Sequence, residues 1–170
     1  MRKMTEEDLR VAFAGESQAH VKYMIFSEEA GKEGKPKLAN VFKAIAMAEL
    51  IHAKNHLRAL GDIKKSDDNI LAAYGGEDYE IEEMYPVFNS VAKFQNEKEA
   101  ERSTHYALEA EKIHREIYKK AKGLIDSGSD FDGETLYVCP ICGHTHVGSE
   151  APDKCPVCGC AKNKYIKFSA

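Results

Sequence analysis

The residues best suited to chemistry are five cysteines, Cys139, Cys142, Cys155, Cys158 and Cys160, all in the last fifth of the chain. Four of them form two turns of the same type, Cys139-Pro-Ile-Cys142-Gly143 and Cys155-Pro-Val-Cys158-Gly159. Each C-x-x-C turn points two thiolates at one centre, and the glycine behind it lets backbone amides approach the sulfurs. Four thiolates around one ion make a tetrahedral site suited to zinc or iron, and the spacing leaves both metals open. A disulfide framework is a poor alternative, because the long cysteine-free part must fold by its own core. Cys160 is left over as a thiol that is not a ligand and is open to oxidation. His144 and His146 lie between the knuckles, but four well-spaced cysteines make them unnecessary as ligands.

A second constellation is built from carboxylates. Glu49 and His52 stand three residues apart, which puts them on one face of a helix, and Glu111 and His114 repeat the arrangement. Glu16 lies among apolar residues at helical spacing, and Glu80 and Glu83 share a face in Glu80-Ile81-Glu82-Glu83. One Glu-x-x-His alone reads as a solvated helix face. Two copies, with inward carboxylates on the remaining helices, read differently. Five carboxylates gathered without a cation would raise one another's pKa and oppose folding, and two divalent ions remove that problem. A carboxylate-rich set with one imidazole per ion suits iron or manganese. Glu49 and Glu111 are placed to bridge, Glu16 and Glu80 to cap one ion each, and Glu83 is a seventh ligand that could exchange with His52. Tyr23 is placed either to hydrogen-bond a ligating carboxylate or to fill the core. Regular α-helical spacing turns Tyr85 away, and His20 and His56 read as hydrogen-bonding or surface residues.

Four helices must carry these groups. Thr5 is a candidate cap for the first, whose apolar face runs through Leu9, Ala12, Phe13 and Tyr23 to Gly31 and Gly34. Pro36 opens a second helix that continues to Gly61. Residues 62–76 read as a longer polar connection, residues 77–95 as a third helix bent at Pro86, and residues 97–125 as a fourth. Asn96 suits the left-handed turn between the last two. Four amphipathic helices imply a mainly α chain organised as a four-helix bundle over residues 1–127. A polar, glycine-bearing linker follows at 128–135, and a small metal-knuckle domain with short strands occupies 136–170. That domain buries too little surface to fold alone, so its metal should supply much of its stability.

Composition narrows the function. The 170 residues carry 24 basic and 28 acidic side chains, a net charge of −4, with no electrostatic footprint for nucleic acid. No apolar run approaches the roughly 20 residues that span a bilayer. No apolar segment follows the basic residues at the start, so no secretory signal is expected and a cytoplasmic protein is the default.

Together, Ala14-Gly15-Glu16-Ser17, Ala48-Glu49-Leu50-Ile51-His52, Glu80-Ile81-Glu82-Glu83-Met84-Tyr85-Pro86, Glu109-Ala110-Glu111-Lys112-Ile113-His114 and the two Cys-Pro-x-Cys-Gly knuckles resemble the rubrerythrins over essentially the whole chain. The resemblance implies a ferritin-like diiron bundle followed by a rubredoxin-like domain, with iron at Cys139, Cys142, Cys155 and Cys158. It implies a peroxidase that reduces hydrogen peroxide to water. Electrons would come from an NAD(P)H-dependent reductase, often through a separate rubredoxin. It also implies a redox-linked exchange between ligands of the His52 and Glu83 types. A homodimer or higher oligomer is expected, with the cysteine site of a neighbouring subunit as the useful donor; the 62–76 connection would also permit exchange of helix pairs. Cys160 and His144 depart from the family pattern without removing a ligand. The alternative is a ferroxidase or iron store, which needs no dedicated electron carrier. A purely structural bundle attached to a zinc-ribbon interaction module is a third reading, which the gathered carboxylates disfavour.

Overall fold

The computed structural model describes residues 1–132 and 135–169, which divide into two compact units, Met1–Lys64 and Lys65–Ala170. The composition change at 128–135 therefore falls inside the second unit. Gly133 and Glu134 of that expected linker lie outside the described residues.

The first unit is a hairpin of α1 (Lys3–Lys32) and α2 (Pro36–Leu60). Thr5 does not cap α1. The helix already begins at Lys3, and the Glu6 amide bonds the Arg2 carbonyl at 3.0 Å. Pro36 opens α2, where a missing N–H costs nothing, and Gly61 closes it at φ 74°, a left-handed conformation that favours glycine. The helices meet through small residues, with Ala30, Ala46 and Ala53 buried. His20 Nδ1–H donates to the Ala46 carbonyl at 2.7 Å, and Ser27 Oγ donates to the Ala39 carbonyl at 2.8 Å. Tyr23 packs with Phe26 and Phe42, ring centroids 5.6–6.5 Å apart, and so serves the core of this hairpin. Two helices cannot enclose their own apolar stripe. Val21, Ile25, Leu38, Val41, Ile45 and Ile51 are exposed.

The second unit begins with α3 (Ser66–Tyr79), followed by a π-helical turn (Glu80–Met84), α4 (Tyr85–Phe94) and α5 (Lys98–Asp126). The connection expected over 62–76 is thus only a few residues long. Ser66 starts a helix whose first turn carries Asp67 and Asp68, favourable charges at an N-terminus. The third helix also departs from simple bending at Pro86. Proline lacks an N–H, and its ring would strike the carbonyl four residues back. The chain widens just before it, and the Tyr85 amide bonds the Glu80 carbonyl five residues earlier. Asn96, at φ 58°, makes the left-handed link to α5.

Three short antiparallel strands complete this unit, β1 (Leu136–Val138), β2 (Thr145–Val147) and β3 (Ile166–Phe168), in the order β2-β1-β3. β1 and β3 fall where the apolar patterns place them. β2 was not legible as a strand, and it packs against α5. Among the described residues no helix is long and apolar enough to cross a membrane.

Asn89 is buried, and its Nδ2 donates to the Glu101 carbonyl at 2.8 Å and to Thr104 Oγ1 at 2.9 Å, joining α4 to α5. Asn89→Ala should lower the unfolding free energy by about 1–3 kcal/mol, measured by chemical denaturation of the zinc-loaded protein.

Candidate metal centres

The two cysteine knuckles are built alike. The Cys139 amide bonds the His144 carbonyl at 2.9 Å, and the Gly143 amide bonds the Cys139 carbonyl at 3.0 Å. The second knuckle repeats this, with Cys155 to Cys160 at 2.8 Å and Gly159 to Cys155 at 2.9 Å. Gly143 and Gly159 sit at φ 78° and 75°, where a side chain would strain the turn. Cys139, Cys142, Cys155 and Cys158 converge, with Sγ–Sγ separations of 3.5 Å for Cys139–Cys158 and for Cys142–Cys155. Metal–sulfur bonds of about 2.3 Å in a tetrahedron require edges of about 3.8 Å, so the set fits an ion with little adjustment. Burial pushes the Cys142 thiol up. At Cys155 burial also acts upward, but a hydrogen bond from Tyr165 and the backbone amides of Cys158 and Val157 overcome it and hold that thiol at about 6. His144 is not a ligand; it is buried against Tyr165, whose hydroxyl lies 3.0 Å from its Nδ1. Cys160 stands outside the tetrad.

Each unit also carries one carboxylate–imidazole group. In the first, Glu16, Glu49 and His52 converge, with His52 Nδ1 at 2.9 Å from Glu49 and 3.9 Å from Glu16. In the second, the converging residues are Glu77, Glu111 and His114. His114 Nδ1 lies 2.6 Å from Glu111 Oε2 and 4.0 Å from Glu77 Oε2. Glu77 was missed in the sequence because Gly75-Gly76 before it looks like loop. In the structure it occupies the last turn of α3. The available signal was its place three residues before Glu80, another pair on one helical face.

Glu80 stands close to this group rather than in it. Burial pushes its carboxyl up, Glu111 adds to the shift and His114 opposes it. Glu83 is exposed and belongs to neither group. Its neighbour Glu82 pairs with Arg115 at 3.0 Å. Tyr85, expected to point away, faces the carboxylates. Its hydroxyl is pushed up by burial and then by the charges of Glu80, Glu111 and Glu77. The cause is the π turn, which sets Tyr85 one wide turn after Glu80.

Glu77 provides the test of fit. Its Oε2 is buried and receives no hydrogen bond. Burial first, then the adjoining Glu111 carboxylate and the charge of Glu80, push its carboxyl up to about 8. An unpartnered buried oxygen beside a second carboxylate and an imidazole is the donor set of a hard or borderline divalent cation, and iron satisfies it.

The sign of the resulting pH dependence is fixed. Between the ordinary value of 4.5 and about 8, the folded chain holds a proton at Glu77 that the unfolded chain releases. Stability from this group is complete below pH 4.5 and is lost as pH rises through 8. Denaturation midpoints of the metal-free protein should therefore fall from pH 5.5 to 8.5 more steeply than those of Glu77→Gln. Metal binding must displace the same proton, so ferrous affinity at this group should rise over that range, as read by chelator competition.

The chain matches the family model for rubrerythrin over residues 7–122 and the model for the rubrerythrin rubredoxin-like domain over residues 137–166. It is 42% identical to Rubrerythrin-2 of Clostridium acetobutylicum, covering 97% of each protein. It is 32% identical to nigerythrin of Nitratidesulfovibrio vulgaris, covering 96% of this chain and 86% of that one. The structure of nigerythrin in its fully reduced, all-ferrous state aligns with a TM-score of 0.57 at 32% identity, covering 96% of this chain and 86% of that chain. A mainly helical chain with paired carboxylate–imidazole groups and a four-cysteine knuckle thus belongs to the rubrerythrin family, a family of oxidoreductases with a ferritin-like diiron bundle and a rubredoxin-like domain.

Proposed function

We propose that this protein is a peroxidase that reduces hydrogen peroxide to water, H2O2 + 2 H⁺ + 2 e⁻ → 2 H2O, with electrons relayed through the four-cysteine centre. The observation that carries the reading is the presence, in one compact unit, of a carboxylate–imidazole group and a tetrathiolate group packed on the same helix, α5. Storage of iron needs no such electron carrier. An iron pair would supply two electrons together, so the O–O bond breaks without release of a one-electron radical. Glu16, Glu49, His52, Glu77, Glu111 and His114 hold that pair in this reading, and Glu80 takes the role of spare carboxylate expected of Glu83. Tyr85 faces the same carboxylates and is placed to steady them by hydrogen bonding. The reductant is an NAD(P)H-dependent reductase, acting directly or through a separate rubredoxin, and the setting is the cytoplasm.

Each unit carries half of the ligand set, one Glu-x-x-His and one further glutamate. The hairpin Met1–Lys64 also leaves its apolar residues exposed, which calls for a partner surface. These features support a homodimer in which each bundle combines the hairpin of one chain with the α3–α5 helices of the other. The donor tetrathiolate is then the one carried by the chain that supplies α5.

Two measurements test these readings. Anaerobically reduced, iron-loaded protein should be oxidised by hydrogen peroxide at least tenfold faster than by dioxygen in stopped-flow runs that follow the ferric tetrathiolate band. Faster reaction with dioxygen, with continued uptake of added ferrous iron, would establish a ferroxidase instead. For helix exchange, inactive Glu49→Ala/His52→Ala chains are co-refolded with inactive Glu111→Ala/His114→Ala chains. Exchange leaves one intact site per mixed dimer and restores peroxidase activity to about a quarter of wild type, since about half the dimers are mixed. Unexchanged bundles restore none.

A further inference from the structure

The two metal groups of the Lys65–Ala170 unit are joined by a hydrogen bond that the functional reading does not use. His114 presents its Nδ1 to Glu111 and Glu77, and its Nε2 lies 2.9 Å from Thr145 Oγ1. Thr145 is buried and belongs to β2 of the cysteine module. Its hydroxyl has one hydrogen, which goes to the Gly143 carbonyl at 3.2 Å, so it accepts from His114. Nε2–H therefore donates to Thr145, which leaves Nδ1 as the ring nitrogen turned toward the carboxylates. Gly143 directly follows the ligand Cys142, and a Cβ placed on it would meet the Ala110 side chain of α5 at 3.7 Å. Tyr106, one turn before Ala110, packs against the buried cysteines. The module is thus seated on the same face of α5 that carries Glu111 and His114.

We infer that Thr145 is a positioning residue for the carboxylate-held metal: the cysteine module reaches across to fix His114 as an Nδ1 ligand. Metal-binding imidazoles are held in this way by an acceptor on the far nitrogen, and losing that acceptor commonly costs 10–100-fold in affinity. Here the acceptor belongs to the other metal module. The knuckle that holds one ion thereby sets the ligand geometry for the next, and the hydroxyl bridges Gly143 to His114 within a single chain. Nothing in a Glu-x-x-His motif requires this, since the acceptor lies 31 positions further along the chain.

The test compares Thr145→Val, which keeps the shape and removes the acceptor, with Thr145→Ser, which keeps it. Ferrous iron alone is titrated into the full-length protein with its cysteine site already ferric, against a chelator. Thr145→Val should bind iron at the carboxylates at least tenfold more weakly, and Thr145→Ser within threefold of wild type. The ferric tetrathiolate spectrum should be the same in all three. In zinc-loaded, 15N-histidine-labelled protein, the His114 Nε2–H resonance should shift or broaden in Thr145→Val and return in Thr145→Ser. Wild-type affinity and an unchanged His114 resonance in Thr145→Val would overturn the inference. So would loss of the tetrathiolate spectrum in that variant, which would make Thr145 a support of its own knuckle only. The inference rests on the carboxylates being a metal site. Wild-type protein that takes up no iron beyond the cysteines would overturn both, whereas equal binding by wild type and Thr145→Val would remove only the role of Thr145.

Discussion

Carboxylates withdrawn from water need a cation, and the arrangement of this protein follows from that requirement. Glu77 states it most plainly. Its buried, unpartnered oxygen and a carboxyl held near 8 at a position facing Glu111 describe a protein that has given up stability to keep a ligand ready. Apolar residues in the same places would fold more easily. A divalent ion reverses the balance, turning repulsion between glutamates into coordination. The cysteine tetrad works by the same logic with softer donors, where burial pushes thiols up and a metal holds them as thiolates.

The helices are divided to suit this chemistry. Each unit carries its own Glu-x-x-His, whose three-residue spacing places both donors on one face, beside one carboxylate from the neighbouring helix of the same unit. The π turn at Glu80–Met84 refines the second set. By inserting an extra residue per turn ahead of Pro86, it brings Tyr85 to face Glu80, Glu111 and Glu77, which a regular helix would not. The cysteine module is seated on α5 rather than hanging free, with Gly143 against Ala110 and Thr145 against His114.

Much of this was legible in the residues, and the parts that were not have identifiable causes. The knuckles are visible because C-x-x-C-G is a local motif whose geometry is complete within five residues. Glu49–His52 and Glu111–His114 are visible because one turn of helix suffices to unite them. Glu77 was hidden because its role depends on a helix that begins eleven residues earlier, at Ser66, through a stretch rich in Asp, Asn and Gly that reads as loop. Glu83 and Tyr85 were assigned faces by regular 3.6-residue spacing, which the π turn breaks. β2 was hidden because a three-residue strand has no period to detect, and Thr145 became meaningful only once that strand was seen against α5. The two-unit division at Lys64 was hidden too, because composition changes most at 128–135.

The most direct measurement of the central claim is 57Fe Mössbauer spectroscopy of the fully iron-loaded, oxidised protein. A buried carboxylate pair site beside a tetrathiolate site predicts about three irons per chain. About two-thirds of the signal should then come from coupled high-spin ferric ions in oxygen and nitrogen ligation, and about one-third from a ferric tetrathiolate. A single iron per chain, all of it bound to sulfur, would contradict the account, because the glutamates would then be gathered for some purpose other than holding metal.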